Sequence, residues 1–218
     1  MNDRLSLIRA REREQHHYLK PEHRCYYWGE YTAWDHTHGK NAEYSETNRL
    51  VAALKVPVDH ESDIESQLKL AAMERVSGAF ARFWRWHELT DKALLVSMPP
   101  SKSTVDPLYD DRMQRIVEGI RDRSKVPLAC AALLISDGSL APSHQATERP
   151  KLKELIKSLS IDTTALPQNP PRMVFLFDDV LTTGAHFVAC STHIRRTFPQ
   201  ARIIGNFVAR TRRPDPDE

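Results

Sequence analysis

Glycine is scarce in this sequence, with only seven in 218 residues. No two glycines lie close enough to form the glycine-rich dinucleotide fingerprint or the Walker A loop that surrounds nucleotide phosphates. These two common phosphate sites are therefore excluded. Cysteine is also rare, because the chain has three, far apart and with no Cys-x-x-Cys pair. An odd, scattered set fits no disulfide framework, so we expect a reducing compartment and a cytoplasmic location.

Long apolar runs and a large net charge are absent as well. The N-terminal residues are charged, and no stretch approaches the roughly 20 apolar residues of a membrane span, so no membrane partner is expected. The 31 basic and 29 acidic residues leave a net charge of +2, which is too small to indicate nucleic-acid binding by itself. The hydrophobic fraction of 40% is enough for a core.

Residues 1–90 are predicted to form an N-terminal helical and aromatic segment. An aromatic, β-prone run at 25–34 precedes a short helix capped by Ser45 or Thr47, and a longer helix is predicted over residues 62–87. One apolar face of the longer helix is expected to consist of Ile64, Leu68, Ala72, Val76, Ala79, Phe80, Phe83, Trp84 and His87.

Residues 91–218 show apolar runs that alternate with helical patterns. Short apolar runs predict buried strands at 93–98, 129–136, 173–177 and 201–209. Helical patterns separate them at 110–123, 149–159 and 184–197. Strands that alternate with helices predict an α/β domain with a parallel sheet. Ligands of such sheets bind beyond the carboxyl ends of the strands.

The segment with the most specific chemistry is VFLFDDVLTTGAHF, from Val174 to Phe187. A buried strand delivers two adjacent carboxylates, Asp178 and Asp179, to its carboxyl end, where they can bind hydroxyls or a metal. The following Thr-Thr-Gly turn meets a helix N-terminus, whose N–H groups and hydroxyls can surround a phosphate. One loop thus offers acceptors for a sugar diol and donors for a phosphate. A solvated acidic pair before a capped helix is the alternative.

This segment resembles the signature of the type I phosphoribosyltransferases, which bind 5-phosphoribosyl-1-diphosphate (PRPP). The resemblance implies a type I phosphoribosyltransferase-like parallel β-sheet flanked by helices, with the N-terminal segment as a possible hood. It also implies catalytic roles for Asp178, Asp179 and Thr182, and Mg²⁺ as a cofactor held by the two aspartates. The implied PRPP-binding residues are Asp178, Asp179, Val180, Leu181, Thr182, Thr183, Gly184, Ala185 and His186.

Two positions of the loop differ from patterns within that family. His186 stands where the family usually has Ser or Thr to contact the 5′-phosphate, although an imidazole can still donate to phosphate. At the Thr182 position, some purine enzymes of the family have an Asp that helps move the base proton, and this chain lacks that acceptor. A catalytically degenerate PRPP or nucleotide sensor, with a regulatory or effector role, is therefore an alternative.

The resemblance places two more loops at the site. The loop after the first strand of the 91–218 region would bind diphosphate through Pro100, Ser101, Lys102 and Ser103. The hydroxyls and the ammonium group suit phosphate oxygens, but taken alone this loop is a turn. Between the second and third strands, a lid would carry His144 and Arg149, with a plain surface loop as the alternative.

The helix after the diphosphate loop and the hood complete the expected site. That helix resembles the one in competence-type (ComF-like) members, and Arg112 or Arg115 is placed to face the ligand. The hood would recognise the acceptor through Tyr27, Trp28, Glu30 and Tyr31. Packing of these aromatics against the core is the alternative.

The expected ligands are PRPP and an unidentified acceptor, and a homodimer or a partner protein is compatible with the sequence. Nucleic-acid binding is a rival function that would use Arg195, Arg196, Arg202, Arg210, Arg212 and Arg213, although the acidic tail PDPDE would repel phosphate. A zinc site would use His16, His17, His23 and Cys25, or His36 and His38. Their spacing matches no closed tetrahedral pattern, so chance clustering is the better explanation.

Overall fold

A computed structural model describes residues 1–59, 62–140 and 152–213. Its strands are β1 (Ser6–Leu7), β2 (Arg24–Thr32), β3 (Ala93–Ser97), β4 (Ala129–Ala131), β5 (Leu134–Ser136), β6 (Leu159–Ile161), β7 (Met173–Leu181) and β8 (Arg202–Arg212). Its α-helices are α1 (Ala10–Arg13), α2 (Glu46–Leu54), α3 (Asp63–Phe83), α4 (Arg112–Arg123), α5 (Leu152–Ser158) and α6 (Ala185–Thr197).

The centre of the fold is a six-stranded sheet with the order β1-β2-β8-β7-β3-β4. The five strands from β2 to β4 in this order are parallel, and β1 adds an antiparallel edge to β2. A separate antiparallel pair joins β5 and β6. The prediction of an α/β fold with a mostly parallel sheet flanked by helices is confirmed.

Both faces of the sheet are covered, which explains why its strands are almost continuously apolar. In β7, Val174 and Leu176 face a cluster that includes Phe187 of α6. The alternate residues Phe175 and Phe177 belong to the opposite cluster, with residues of α3 and α4. Because successive side chains of a strand point to opposite faces, a strand between two helical layers is apolar at nearly every position.

One secondary-structure prediction needs correction. The apolar run predicted as one strand at 129–136 is two strands, because Ala131 pairs with Val96 of β3 whereas Leu134 pairs with Ile161 of β6. An apolar run does not reveal where the chain leaves one pairing partner for another. The N-terminal aromatic run, predicted to be β-prone, forms β2 and pairs in parallel with β8. The central sheet therefore takes a strand from the first 90 residues.

Helix α3 begins where the sequence predicts, at a capping box. Glu65 N donates to Ser62 Oγ at 3.3 Å, and Ser62 N donates to the Glu65 carboxylate at 3.1 Å. Its predicted apolar face is only partly buried, because Ile64 is 72% and Leu68 is 55% exposed. The buried face starts at Lys69, where α3 approaches its neighbours, so the first turns lie outside the core.

No helix among the described residues has both the length and the apolar character that crossing a membrane requires.

Candidate functional site

The carboxyl ends of β3 and β7 meet at one edge of the sheet, and a cavity opens between the loops that follow them. Ser97 pairs with Phe177, and Met98 N donates to the Phe177 carbonyl oxygen at 2.9 Å. The cavity has a volume of about 130 Å³. Its walls include Pro100, Thr104, Tyr109, Asp110, Arg112 and Asp178. The loop expected to bind diphosphate and the first residue of the acidic pair therefore face the same space.

The two adjacent aspartates have different surroundings. Asp178 lines the cavity, and its Oδ2 lies 3.1 Å from His186 Nδ1. Asp179 is buried on the other face, where its Oδ2 lies 2.6 Å from Arg112 Nη2 and 3.5 Å from Lys55 Nζ. Consecutive strand residues point to opposite faces, so one carboxylate reaches the cavity and the other reaches the cations.

The cations around Asp179 belong to a larger ion-pair network. Arg112 Nη1 donates to Asp110 at 2.6 Å, and Lys69 Nζ lies 3.3 Å from the same carboxylate. We call Lys55, Lys69 and Arg112 the cation cluster. Burial alone would raise the pKa of Asp179, but Lys55 and Arg112 outweigh burial and hold that pKa below its ordinary value. Asp179 is therefore ionised and paired.

His186 is positioned by its neighbours on α6 and β7. Burial acts to lower the pKa of His186, but Cys190 and Asp178 raise it well above the ordinary value. The raised pKa favours the charged imidazole, which can form an ion pair with Asp178. Nδ1 of His186 thus contacts the first residue of the acidic pair, and the side chain is one-third exposed.

The Thr-Thr-Gly loop leads into α6 as predicted from the sequence. Gly184 caps the helix with a φ of +85°, a left-handed conformation that glycine adopts without strain. Thr183 Oγ1 accepts a hydrogen bond from Ala185 N at 3.4 Å. The first turn of any α-helix leaves N–H groups without an intrahelical acceptor, and the helix dipole favours an anion there. The local geometry therefore suits a phosphate.

An N-terminal arm, residues 8–23, packs against this loop. His16 is fully buried and its Nδ1 donates to the Thr182 carbonyl oxygen, while Tyr18 N donates to the Thr183 carbonyl oxygen at 3.1 Å. A Cβ atom at Gly184 would lie 2.8 Å from the Leu19 side chain, so the contact leaves no room for a larger residue. The arm thus holds the loop in place through the backbone carbonyl groups of Thr182 and Thr183.

The buried His16 makes the stability of this contact depend on pH. Burial lowers the pKa of His16 below 6.5, with Arg210 and Arg213 acting in the same direction and Thr182 and Glu12 opposing. Since the unfolded chain binds a proton first, the stabilising contribution is complete above pH 6.5 and is lost as pH falls toward the folded pKa. We expect the free energy of unfolding to fall in that range with a slope of up to about 1.4 kcal/mol per pH unit.

Urea denaturation at several pH values from about 5 to about 7.5, a range that spans the ordinary pKa of histidine, would measure this effect. His16→Gln should flatten the acid side of the profile. His17→Gln is the matched control, because His17 is the adjacent residue and is exposed. Equal profiles for the two variants would show that His16 does not control the acid response.

Only part of the loop that was expected to bind diphosphate lies at the cavity. Pro100 lines it, whereas Ser101, Lys102 and Ser103 are not among its lining residues. Lys102 Nζ lies 3.2 Å from Asp106, and the Ser101 carbonyl oxygen accepts from Ser136 at 3.1 Å. The two proposed lid residues, His144 and Arg149, lie outside the described residues.

The expectation that four residues form an acceptor-binding hood needs correction. Tyr27 and Trp28 are buried in β2, at 5% and 6% exposure, because the strand lies inside the sheet and its rings pack into the core. Glu30 forms an ion pair with Arg210. The half-buried Tyr31 has a raised pKa, caused first by burial and then by the charges of Asp35 and Asp179. Tyr27 and Trp28 therefore follow the alternative prediction, in which these aromatic side chains pack against the core.

The residues present do not fit the Mg²⁺ site implied by the family resemblance. Mg²⁺ usually binds one or two carboxylates together with substrate phosphates. Here the Asp179 carboxylate is held by Arg112 and Lys55, and Asp178 is paired with His186. Among the residues that the structure describes, no group of three or more His, Cys, Asp or Glu side chains is arranged to hold a metal.

Sequence reasoning missed two members of the cation cluster. Lys55 ends α2 and Lys69 lies within α3, both far in sequence from Asp179. A signal was present for Lys69, because it lies on the same helical face as Ala72, Met73 and Val76. A lysine within an otherwise apolar helix face indicates a buried partner, since an unpaired buried charge is costly.

Comparison of the sequence with protein-family models and with curated proteins gives no match. The function proposed below therefore rests on the residues at the carboxyl edge of the sheet.

Proposed function

We propose that this chain is a PRPP-binding phosphoribosyltransferase. It would transfer the 5-phosphoribosyl group from PRPP to a nitrogen nucleophile, namely a base, an amine or a nucleotide, and release diphosphate. One observation carries the proposal: the cavity at the carboxyl edge has Asp178 on one wall and the loop after β3 on another. Such an edge is the usual ligand site of open parallel sheets.

Each part of PRPP has a complementary group at this edge. Asp178 would accept hydrogen bonds from the ribose hydroxyls. The loop from Thr182 to Gly184 and the first turn of α6 would bind the 5′-phosphate. Arg112 and the loop that contains Pro100 would face the diphosphate, because both line the cavity.

The transfer step uses the charge of the site. The bond between C1 of the ribose and the diphosphate oxygen breaks, and the diphosphate leaves with the electron pair. Positive charge develops at C1, and the carboxylate of Asp178 would stabilise it. The lone pair of the nucleophile forms the new C1–N bond, and the proton of that nitrogen passes to solvent. Arg112 would compensate the charge that the departing diphosphate gains.

A PRPP sensor without transferase activity is the second candidate. Asp179, one of two carboxylates expected at the ribose, is held by Arg112 and Lys55. Thr182 also offers no proton acceptor for a base. Both observations favour ligand binding over catalysis. In this case the protein would bind PRPP and report it to a partner.

Calorimetric titration of the full chain with PRPP, with ribose 5-phosphate and ATP as comparison ligands, tests the binding. Diphosphate release in the presence of a panel of bases, amines and nucleotides then tests the transfer. We expect selective binding of PRPP and release of diphosphate with at least one acceptor. Binding without release for the whole panel would favour the sensor. Failure to bind PRPP both with and without Mg²⁺ would refute the proposed function.

A further inference from the structure

We infer that the edge of the central sheet opposite the cavity binds the phosphate backbone of a nucleic-acid duplex, independently of its base sequence. We call this surface the basic edge and define it by six exposed cations at the starts of the parallel strands and at the end of α6. They are Arg24, Lys92, Arg172, Arg195, Arg196 and Arg202. The inference does not rest on the proposed function, because the cavity lies at the carboxyl ends of the strands.

The parallel topology brings the four cations at the strand starts together. Arg172 N donates to the Lys92 carbonyl oxygen, and Arg202 N donates to the Arg172 carbonyl oxygen, each at 2.9 Å. The residues at the starts of β3, β7 and β8 are therefore backbone neighbours. Arg24 begins β2, which lies beside β8 in the sheet. One cation thus stands at the start of each of four adjacent strands.

Helix α6 brings two further cations to the same end of the sheet. The helix connects the parallel strands β7 and β8, so it runs back along them and its last turn lies near the start of β8. That turn carries Arg195 and Arg196. Cations in a last turn also stabilise the negative end of the helix dipole. The dipole explains at most these two residues, because the other four precede or begin strands.

The basic edge carries an excess of positive charge that the protein does not neutralise. Within the part of the chain that the structure describes, none of its six side chains forms an ion pair, and Lys92 Nζ contacts only the Glu88 carbonyl oxygen, at 3.4 Å. The carboxylates nearest to it in sequence are Glu22 and Asp91, which leave the surface with a net charge of +4, against +2 for the whole chain. Unpaired like charges held close together attract a polyanion.

The small net charge of the chain conceals this surface because acidic side chains are concentrated at the other edge of the sheet. Four aspartates line the cavity there, beside one arginine, Arg112. They are Asp110, Asp111, Asp162 and Asp178. Net charge is therefore a poor guide to nucleic-acid binding by this fold.

The structure also divides the six arginines that the sequence grouped for nucleic-acid binding. Three of them, Arg195, Arg196 and Arg202, belong to the basic edge. The others do not, because Arg210 is buried beside Glu30 and the remaining two follow it at the carboxyl end of β8. The surface that remains is completed by cations from the starts of β2, β3 and β7.

The composition and length of the basic edge fit a duplex backbone. Five of its six cations are arginines, whose planar guanidinium can donate two parallel hydrogen bonds to one phosphate. Adjacent strands are about 4.8 Å apart, so the row from β2 to β3 spans about 14 Å. A duplex presents about eight charges over that length.

Two other anionic partners fit this surface less well. Membrane surfaces are usually bound with inserted apolar side chains, and unpaired bases with stacked aromatic rings. Among the described residues, no exposed large apolar or aromatic side chain lies within two positions of the six cations in the sequence. Charge without such side chains favours contacts to phosphates along a duplex.

Fluorescence anisotropy of the full chain with a labelled duplex of mixed sequence, at several salt concentrations, tests the inference. With about four phosphate contacts, we expect the affinity to fall roughly 100-fold between about 50 mM and about 200 mM salt. A change of base sequence should alter the affinity by less than about threefold, because phosphate contacts carry no sequence information. Binding of a DNA duplex, an RNA duplex or both would support the inference and identify the source of the backbone.

The double variant Arg172→Gln/Arg202→Gln removes two exposed charges from the centre of the row. It should reduce the slope of log affinity against log salt by about 2 and weaken binding at about 50 mM salt by at least about tenfold. Arg11→Gln/Arg115→Gln is the matched control, since it removes the same charge from exposed positions in α1 and in the first turn of α4. Thermal unfolding should verify that both variants are folded.

Three results would overturn the inference. The first is the absence of salt-dependent duplex binding by the unaltered protein, which needs no variant. The second is an equal loss in the two double variants, because net charge alone would then control binding. The third is tighter binding to vesicles rich in phosphatidylserine or to polyglutamate than to the duplex, which would assign the surface to a membrane or an acidic protein. PRPP binding should be unchanged in Arg172→Gln/Arg202→Gln, so the inference and the proposed function fail separately.

Discussion

Replacing Arg112 with methionine is expected to lower the free energy of unfolding by about 3–5 kcal/mol, the usual cost of removing one member of a buried ion pair. The guanidinium bridges Asp110 and Asp179, and its loss leaves each of these carboxylates with one lysine as its remaining ion-pair partner among the described residues. Urea denaturation at neutral pH would measure the change. Arg115→Met, an exposed position on the same helix, should change stability by no more than about 0.5 kcal/mol.

A double-mutant cycle separates the ion pair from the loss of side-chain volume. Adding Asp179→Asn to Arg112→Met removes the uncompensated carboxylate, so part of the lost stability should return. A simple sum of the two single effects would show that the residues do not interact. If Arg112→Met behaved like Arg115→Met, the buried network would not contribute to stability.

Replacing Asp178 with asparagine is expected to weaken PRPP binding by about 10- to 100-fold, as the loss of hydrogen bonds to a charged acceptor implies. Asp178 is the residue of the acidic pair that lines the cavity, whereas Asp179 is buried behind it. The substitution keeps the size of the side chain and its capacity to accept one hydrogen bond. Calorimetry with PRPP in EDTA and in Mg²⁺ would measure the effect.

Asp111→Asn is the control for a general change of charge at the cavity, because Asp111 is exposed and also borders the cavity. Its effect should be small, and removing a negative charge there should, if anything, favour the anionic ligand. The ion pair with His186 is partly exposed, so Asp178→Asn should cost only about 1 kcal/mol of stability or less. Unchanged affinity in Asp178→Asn would exclude this carboxylate from the ligand site.

Much of the parallel sheet is predictable from the sequence because burial on both faces produces continuous apolar runs. The runs at 93–98, 173–177 and 201–209 all correspond to strands of the central sheet, and the helix predicted at 184–197 is present as α6. The position of Asp178 near the carboxyl end of β7 follows from the same pattern, although the strand continues to Leu181. Local sequence thus suffices for elements whose burial is uniform.

Strand partners are less accessible to sequence reasoning because pairing joins distant segments. The aromatic run at 25–34 has the β propensity of a strand, but nothing in the run identifies β8 as its pairing partner. The structure pairs Tyr27 with Phe207 and buries the ring, which removes it from the expected hood. The run at 129–136 shows the same limit, since its two halves pair with strands that lie on different sides of it in sequence.

The sequence by itself determined that an acidic pair near the carboxyl end of a buried strand is followed by two threonines and one glycine that lead into a helix. These neighbours are adjacent in the chain, so their local geometry follows from the alternation of the strand and the conformational freedom of glycine. Only the tertiary structure decided that Asp178 and Asp179 have different roles. Arg112 and Lys55 reach Asp179 from α4 and the end of α2, and the long-range packing of those helices pairs Asp179 with cations, whereas Asp178 lines the cavity and contacts His186.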